Sequence, residues 1–153
     1  MKTPGFRFER IQVWQKAMEW VRSVYQCTGS FPENERFGIT AQLRRAAVSV
    51  PSNIAEGSSR RSNTEFARFL EVAYGSLLKA VCQSRLASDL GFMIGSDFKH
   101  ICREAEEIAG MLSGLRSYLM RNKKTQVGEV ATDYYILRSA LDSKLPSLRS
   151  TGE

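Results

Sequence analysis

Residues 44–57 read RRAAVSVPSNIAEG, and the fold of the chain is best approached from this stretch. Its apolar positions belong to a run with helical spacing that comprises Ile39, Leu43, Ala46, Ala47, Val50 and Ile54. Pro51 falls inside the run and cannot donate a helical hydrogen bond, so we expect a kink or a fresh turn that starts near Ser49. Ser49, Ser52 and Asn53 carry side chains that can bond the backbone groups freed by the proline. The stretch contains no catalytic triad, metal-binding box or phosphate-binding loop.

Three further segments repeat apolar residues at the same spacing. The seams predicted for them are Ile11, Trp14, Met18, Val21, Tyr25 and Thr28 in the first, Phe66, Leu70, Ala73, Leu77, Val81 and Ser84 in the third, and Ile101, Ala105, Ile108, Leu112, Leu115 and Leu119 in the fourth. No segment alternates with a period of two, so the chain is predicted to be all-α. The near-heptad rhythm and the short links predict an antiparallel up-and-down four-helix bundle.

Polar and glycine residues separate these segments. Residues 62–65 read SNTE and predict a capping box, because the Ser hydroxyl and the Glu carboxylate can each accept from an early amide. Gly91 and Gly95 bracket the turn before the fourth segment, for which Ser96 or Asp97 is the predicted N-cap. The boundaries therefore fit four helices joined by short turns.

A chain of 153 residues normally forms one domain with one core. We place the bundle at residues 1–122 and a C-terminal extension at residues 123–153. Within the extension, helical spacing recurs at Val130, Tyr134, Leu137 and Leu141. We therefore predict a short fifth helix at about 129–143, followed by disordered residues.

The charge of the chain is basic and uneven. It has 22 Lys and Arg against 16 Asp and Glu, a formal net charge of +6 and a pI near 9.5. Residues 1–124 hold 19 of the basic and 12 of the acidic residues. Such a body favours anionic partners such as RNA or DNA, although the same charge also serves solubility alone.

Targeting signals and cysteine usage predict a cytoplasmic protein without a membrane partner. The chain has no run of about 18 apolar residues, and its N-terminus lacks an apolar signal region. Cys27, Cys82 and Cys102 are odd in number and form no CxxC pair, which is atypical of a disulfide framework. We predict inert, partly buried thiols.

The residues that usually carry catalysis are sparse. His100 is the only histidine, and no nucleophile or orienting partner is evident for it. His100 and Cys102 point apart on a helix, so they do not predict a metal site. Glu104, Glu106 and Glu107 fit a solvated helix face. The sequence therefore predicts no catalytic residue, no metal and no cofactor.

Basic residues carry the strongest functional signal. Arg60 and Arg61 follow the second segment, and Arg68 lies one turn into the third. Lys123 and Lys124 follow the fourth segment, which runs parallel to the second in the predicted bundle. All five therefore belong at one end, where they are predicted to bind nucleic-acid phosphates without reading bases.

Some large side chains lie off the predicted seams. The apolar ones are Trp20, Phe69, Tyr74 and Leu78. A second apolar face predicts contacts between subunits, and a wide core stripe is the alternative. Arg44 and Arg45 are predicted to serve either an interface or the edge of the core. Arg45 and Glu56 are eleven residues apart, so they can share a helix face and join a polar subunit interface.

Five stretches of the chain are distinctive in their combined order: VWQKAMEW (13–20), FPENERFGITAQLRRAAVSVPSNIAEGSSR (31–60), FARFLEVAYGSLLKA (66–80), LASDLGF (86–92) and EEIAGMLSGL (106–115). Together they resemble proteins encoded in 23S rRNA intervening sequences, the S23-type family. The resemblance implies a four-helix bundle that assembles into a ring, typically a homopentamer. The chain is similar, more remotely, to the accessory proteins of diversity-generating retroelements, which engage reverse transcriptase and nucleic acid.

The chain departs from this family in two places. Leu78 and Lys79 follow GSL where the family often has an acidic residue, and residues beyond about 122 have no counterpart in shorter members. The combined interpretation is a non-enzymatic, oligomeric bundle that binds nucleic acid or a nucleic-acid-bound partner such as a reverse transcriptase. The alternative is a protein-interaction scaffold without nucleic-acid affinity.

Overall fold

The computed structural model describes residues 5–122, which form four α-helices and two short 3₁₀ turns. The helices are α1 (Gln12–Thr28), α2 (Ile39–Ser58), α3 (Asn63–Asp89) and α4 (Gly95–Arg121), and the 3₁₀ turns are Arg7–Arg10 and Glu33–Glu35. No strand occurs within the described range, so the all-α prediction is confirmed. The predicted C-terminal extension (123–153), with its fifth helix at 129–143, lies outside the described residues.

Each helix packs against two neighbours. Both α1 and α3 contact α2 and α4, so the four axes surround one core. The start of α3 meets the end of α4, because the Asn63 Nδ2 donates to the Asn122 backbone oxygen at 2.5 Å. Consecutive helices therefore run antiparallel, which confirms the up-and-down four-helix bundle. None of these four helices is long and apolar enough to cross a membrane.

The apolar seams of three helices follow the sequence prediction closely. All six predicted positions are buried in α2, and all six are buried in α4. In α3 the one exception is Val81, which is only partly buried. Ser84 is fully buried on the same seam, and it continues the stripe at a position where a small side chain fits. The periodicity of these three helices is thus sufficient to locate their core faces.

The seam predicted for α1 is right at its two ends, where Ile11 and Thr28 are buried, and one residue out of phase between them. The positions buried on the helix are Val13, Ala17, Trp20, Val24 and Thr28. Trp20 is completely buried, and its indole Nε1 donates to the Ile101 backbone oxygen on α4 at 3.2 Å. A buried indole needs such an acceptor, whereas Tyr25 on the competing stripe stays exposed. The prediction that Trp20 contacts another subunit is therefore wrong, because its side chain is already enclosed within one chain.

The helix α2 passes through Pro51 without a break, so the fresh turn expected near Ser49 does not occur. The predicted side-chain donors are present. The Ser52 hydroxyl donates to the Val48 oxygen at 2.8 Å, and the Asn53 amide donates to the Ser49 oxygen at 2.7 Å. The carbonyl that loses its helical donor at Pro51 is that of Ala47, and these side chains bond the next two carbonyls along the helix instead.

The predicted N-cap of α4 is also wrong. The cap is Ile94, with extended backbone angles, and its carbonyl accepts from the Phe98 amide at 3.1 Å. Ser96 and Asp97 lie inside the first turn. The turn before Ile94 contains Gly91 with φ of 77°, a conformation that glycine adopts without the strain of a Cβ, and this turn fixes where the helix begins.

Gly57 marks the closest approach of α2 and α3. A Cβ at this position would lie 2.6 Å from the Phe69 Cβ and 2.7 Å from the Phe66 Cδ2. Neither distance is tolerable for a carbon–carbon contact. The glycine of the AEG triplet is therefore required by packing, since it lets the two helices meet where α2 ends.

Candidate nucleic-acid interface

The α2–α3 loop, the start of α3 and the end of α4 form one end of the bundle, which we call the basic end (Arg60, Arg61, Arg68 and Asn122). The loop is ordered by Ser62, whose hydroxyl accepts from the Glu65 amide at 3.2 Å, half of the predicted capping box. The Asn63–Asn122 hydrogen bond holds the last described residue beside this loop. Lys123 and Lys124 follow Asn122 directly in the chain but lie outside the described residues.

Arg60 is held by its own chain. Its Nη2 lies 2.7 Å from the Glu56 Oε1, and its guanidinium carbon lies 4.6 Å from the centroid of the Phe69 ring. Sequence reasoning assigned Arg60 to nucleic acid and Glu56 and Phe69 to a subunit interface, whereas the structure brings all three into one cluster. The i,i+4 spacing of Glu56 and Arg60 is a sequence signal for this pair. Arg60 is therefore the least available of the three loop-end arginines.

Arg61 and Arg68 differ from Arg60 because both are exposed and neither has a carboxylate partner within residues 5–122. Arg68 lines an open groove of about 590 Å³ on the outer side of α3. Glu65 and Glu71 line the same groove, so its charge is mixed. Arg61 and Arg68 are two of the exposed cations at this end, where Arg121 in the last turn of α4 is exposed as well, and the phosphate role predicted for Arg61 and Arg68 stays a prediction.

Two of the predicted interface residues of α3, Tyr74 and Leu78, lie on the side that faces α4, whereas Phe69 packs beside Gly57 on the α2 side. Tyr74 is 37% exposed and Leu78 is 50% exposed. Next to them the Glu71 carboxylate accepts from the Arg116 Nε of α4 at 2.6 Å, which ties the two helices together. The off-seam position predicted for these side chains is thus observed, while their contact with another subunit stays a prediction.

The twin arginines of the opening stretch have different environments. Arg44 reaches across to α1, where its Nε donates to the Thr28 hydroxyl at 2.8 Å and its guanidinium carbon lies 4.5 Å from the Tyr25 ring centroid. It therefore occupies the edge of the core, one of its two predicted roles. Arg45 is exposed, and in the described part of the chain it has no carboxylate partner. Glu56 pairs with Arg60 instead of Arg45.

Sequence reasoning missed a groove between the end of α1 and the outer face of α2. This α1–α2 groove has a volume of about 670 Å³, and its lining includes Tyr25, Arg36, Phe37, Arg44 and Arg45. Phe37 is 87% exposed, the most exposed of the large apolar side chains in the described range. The arginines are visible in the sequence, but only the 3₁₀ turn between α1 and α2 brings Arg36 and Phe37 next to Arg45.

The described residues include no group of three or more His, Cys, Asp or Glu side chains that is arranged to hold a metal ion. The His100 Nε2 lies 3.2 Å from the Glu104 Oε2, one turn along α4, without hydrogen-bond geometry. Sequence reasoning had considered Lys99 and Arg103 as loose partners of Glu104. The observed pair is an i,i+4 contact on one helix and supplies no nucleophile.

The cysteines are free. Burial raises the pKa of the Cys27 thiol, and the adjacent carboxylate of Asp97 raises it further. Burial also raises the pKa of Cys102. Both thiols are partly buried as predicted, but Cys82 is exposed, so the prediction is wrong there. A raised pKa disfavours the thiolate and with it nucleophilic chemistry at Cys27 and Cys102.

A sequence model of the 23S rRNA-intervening sequence protein family matches residues 9–114, more than two thirds of the chain. The chain belongs to this family. Arg60, Arg61 and Arg68 fall inside the part matched to the intervening-sequence family, whereas Lys123 and Lys124 fall outside it.

A similar solved structure is that of a protein with unknown function from the S23 ribosomal protein family of Bacteroides thetaiotaomicron, with a TM-score of 0.63. The two chains are 19% identical over an alignment that covers 68% of this chain and 97% of the other. At this identity the likeness shows the shared fold alone. No protein with curated annotation matches the chain.

Proposed function

We propose that this chain is a non-enzymatic bundle protein that assembles with copies of itself and binds nucleic-acid phosphates through its basic end. One observation carries the proposal. Arg61 and Arg68 are exposed and have no carboxylate partner among the described residues, at the end where Asn122 leads into Lys123 and Lys124. Uncompensated guanidinium groups on one surface are the electrostatic requirement for binding a polyanion.

The chemistry of this end favours phosphates over bases. Phosphate contacts need exposed positive groups and little fixed geometry, and they carry no sequence information. The Phe69 ring beside Arg68 already has the Arg60 guanidinium over one face, which leaves less of the ring available to a base. We therefore propose salt-sensitive binding that is tolerant of sequence. The ligand is RNA, DNA or the nucleic acid held by a partner such as a reverse transcriptase.

Self-assembly is supported by apolar surface that one chain leaves uncovered. Tyr74 and Leu78 are exposed on the α4 side of α3, and a ring requires two different surfaces that fit each other. A ring such as the pentamer implied by the family resemblance repeats the basic end once per subunit. Repetition raises affinity for a long polyanion without any new contact.

The second candidate is a protein-interaction scaffold without affinity for nucleic acid. It is favoured by a separate cluster of exposed apolar residues around the α3–α4 turn, Leu86, Leu90 and Ile94. This cluster lies at the opposite end of the bundle from Arg61. Apolar patches of this kind mark protein contact sites more often than nucleic-acid sites.

The test compares Arg61→Glu/Arg68→Glu with Arg103→Glu, an exposed arginine on α4 that also lacks a described carboxylate partner. Binding of labelled RNA and DNA is followed by fluorescence anisotropy between about 50 and 200 mM salt. We expect affinity of the wild type to fall steeply with salt, and the double variant to have a slope shallower by roughly 0.7 to 0.9 per lost phosphate contact. Arg103→Glu should retain most of the affinity.

Particle mass, measured by light scattering for each variant, separates binding from assembly. A wild type that binds neither RNA nor DNA at low salt would refute nucleic-acid binding and leave the scaffold. A fall in mass for Arg61→Glu/Arg68→Glu would place these arginines in the subunit interface instead. A wild type with the mass of one chain would refute self-assembly.

A further inference from the structure

The α1–α2 groove has a charge pattern that differs from the groove beside Arg68. Three arginines line it, Arg36, Arg44 and Arg45, and no Asp or Glu does. The partners of Arg44 are a hydroxyl and a ring, which leave its positive charge intact. Arg36 lies 3.5 Å from Glu33, but both side chains are largely exposed, so the pair is weak. The groove is therefore a positively charged surface that a mobile anion can enter.

Two aromatic rings stand beside these arginines. Phe37 projects into solvent, and the Arg36 guanidinium carbon lies 5.5 Å from its ring centroid. Tyr25 is exposed as well, next to Arg44. Proteins that bind single-stranded nucleic acid combine a positive groove with rings on which unpaired bases stack. In a duplex the bases are stacked on one another and leave no face for Phe37.

Thr40 supplies a polar group inside the same groove. Its side chain is 7% exposed, and its hydroxyl oxygen has no hydrogen-bond partner within the described chain. Buried hydroxyl groups are usually bonded, so this one has an unused donor and acceptor at the wall of the groove. The hydroxyl oxygen is itself shielded from solvent, so a bound strand reaches it only when a neighbouring side chain moves.

We propose that the α1–α2 groove binds a single strand of nucleic acid, with a base stacked on Phe37 and phosphates bound by Arg44 and Arg45. The inference builds on the proposed nucleic-acid binding but concerns a different surface and names the form of ligand that this surface takes. The basic end binds phosphates of either form, whereas the groove selects unpaired strands.

A second copy of the chain is the competing occupant, since Arg44 and Arg45 were predicted at a subunit interface. Two observations favour the nucleic acid. The lining provides three cations and no anion, and the chain as a whole has a formal net charge of +6. The net charge of a second copy opposes its approach to the groove, whereas a polyanion is attracted along its whole length.

The experiment measures the affinity of the full chain for a fluorescein-labelled oligouridylate of about 16 nucleotides and for a duplex of equal length. This length is at the upper end of common site sizes for single-stranded nucleic acid. Phe37→Ala should weaken single-strand binding about fivefold or more, the loss expected from one stacked base, and leave duplex binding nearly unchanged. Phe37→Trp should preserve binding, and its added fluorescence should be quenched by the oligouridylate. The matched control is Leu90→Ala, an exposed apolar residue outside the groove.

Arg45→Glu provides the charge test, with Arg103→Glu as its control. It should weaken single-strand binding and make its salt dependence shallower, while Arg103→Glu changes neither. If Phe37→Ala leaves single-strand affinity unchanged while Arg61→Glu/Arg68→Glu lowers it, the groove proposal is overturned and the basic end stands. Loss of particle mass in Phe37→Ala would assign the groove to a subunit interface. Absence of any nucleic-acid binding at low salt would remove both proposals.

Discussion

The two ends of the bundle are stabilised by different kinds of interaction. At the basic end, polar contacts on the surface lie over the buried packing of Gly57 against Phe66. These polar contacts are the Ser62 cap, the Asn63–Asn122 hydrogen bond and the Arg60–Glu56 pair. We call the other end, around the α3–α4 turn, the apolar end. There Met93 is buried, Phe31 and Phe92 lie 6.2 Å apart between ring centroids, and Leu86, Leu90 and Ile94 remain exposed.

Because of this difference, the residues that stabilise the fold and the residues proposed to bind a ligand are largely different ones. Apolar burial contributes most of the free energy of folding and is insensitive to salt, whereas exposed ion pairs contribute little and are screened. The charges of Arg61 and Arg68, which we propose to bind phosphates, therefore contribute little to the free energy of folding. Changes to the exposed arginines at the basic end should alter binding more than stability, and changes in the buried core should do the reverse.

The largest effect is expected from Ile101→Ala, which opens a cavity in the core of α4 towards the apolar end. Ile101 is fully buried, and its removal should lower the free energy of unfolding by about 2–5 kcal/mol. Urea unfolding at low and high salt should give the same loss. Ile94→Ala is the exposed control and should change stability by less than about 0.5 kcal/mol. A loss for Ile101→Ala no larger than that of its control would refute the assigned core.

Gly57→Ala tests the close approach of α2 and α3 near the basic end. The new methyl group overlaps the Phe66 and Phe69 side chains, so a loss of about 1–3 kcal/mol is expected in urea unfolding. The control is Gly110→Ala, where an added Cβ meets nothing within 4 Å. This change should stabilise the helix by roughly 0.5–1 kcal/mol. Equal effects of the two substitutions would contradict the packing described here.

Ser62→Ala compares the helix starts at the two ends. Loss of the cap on α3 should cost about 1 kcal/mol in thermal or urea unfolding. Ser96→Ala removes one of the two residues, Ser96 and Asp97, that the sequence predicts as the cap of α4, but the structure assigns that position to Ile94. Its cost should therefore stay under about 0.5 kcal/mol. A larger loss for Ser96→Ala than for Ser62→Ala would reverse the two assignments.

Glu56→Gln gives the smallest expected change, since the pair with Arg60 is exposed. At low salt the loss should be about 0.3–0.5 kcal/mol, and it should disappear near 1 M salt, where screening acts within about 3 Å. Glu106→Gln, on an exposed part of α4 without a described ion-pair partner, is the control. Because the change frees Arg60, nucleic-acid affinity should rise slightly. A loss that persists at high salt would show that Glu56 has another role.

The predictability of the fold differed among the helices for a physical reason. In α4 a single apolar stripe exists, so periodicity locates the core face. In α1 two stripes lie one residue apart, and each carries a large aromatic side chain. The choice between them depends on the Ile101 carbonyl, which accepts from the Trp20 indole. Because Ile101 is 81 residues from Trp20 in the chain, the local sequence of α1 does not reveal this contact.

The candidate site, like the core faces of the helices, was only partly predictable from the sequence. The positions of Arg61 and Arg68 follow from the order of the helices. The pairing of Arg60 with Glu56 was visible as an i,i+4 spacing and was overlooked. The α1–α2 groove was beyond local reasoning, because Arg36, Phe37 and Arg45 come together only after the chain turns between α1 and α2.

The enclosure of Trp20 gives the protein a built-in optical probe. Its indole is shielded from water and its N–H is bonded to a backbone carbonyl, whereas Trp14 is only partly covered. Emission from Trp20 should therefore lie at shorter wavelength in the native state and shift to longer wavelength when α1 separates from α4. Detachment of a single helix thus becomes visible without attaching a dye, and a Trp14→Phe background isolates the signal.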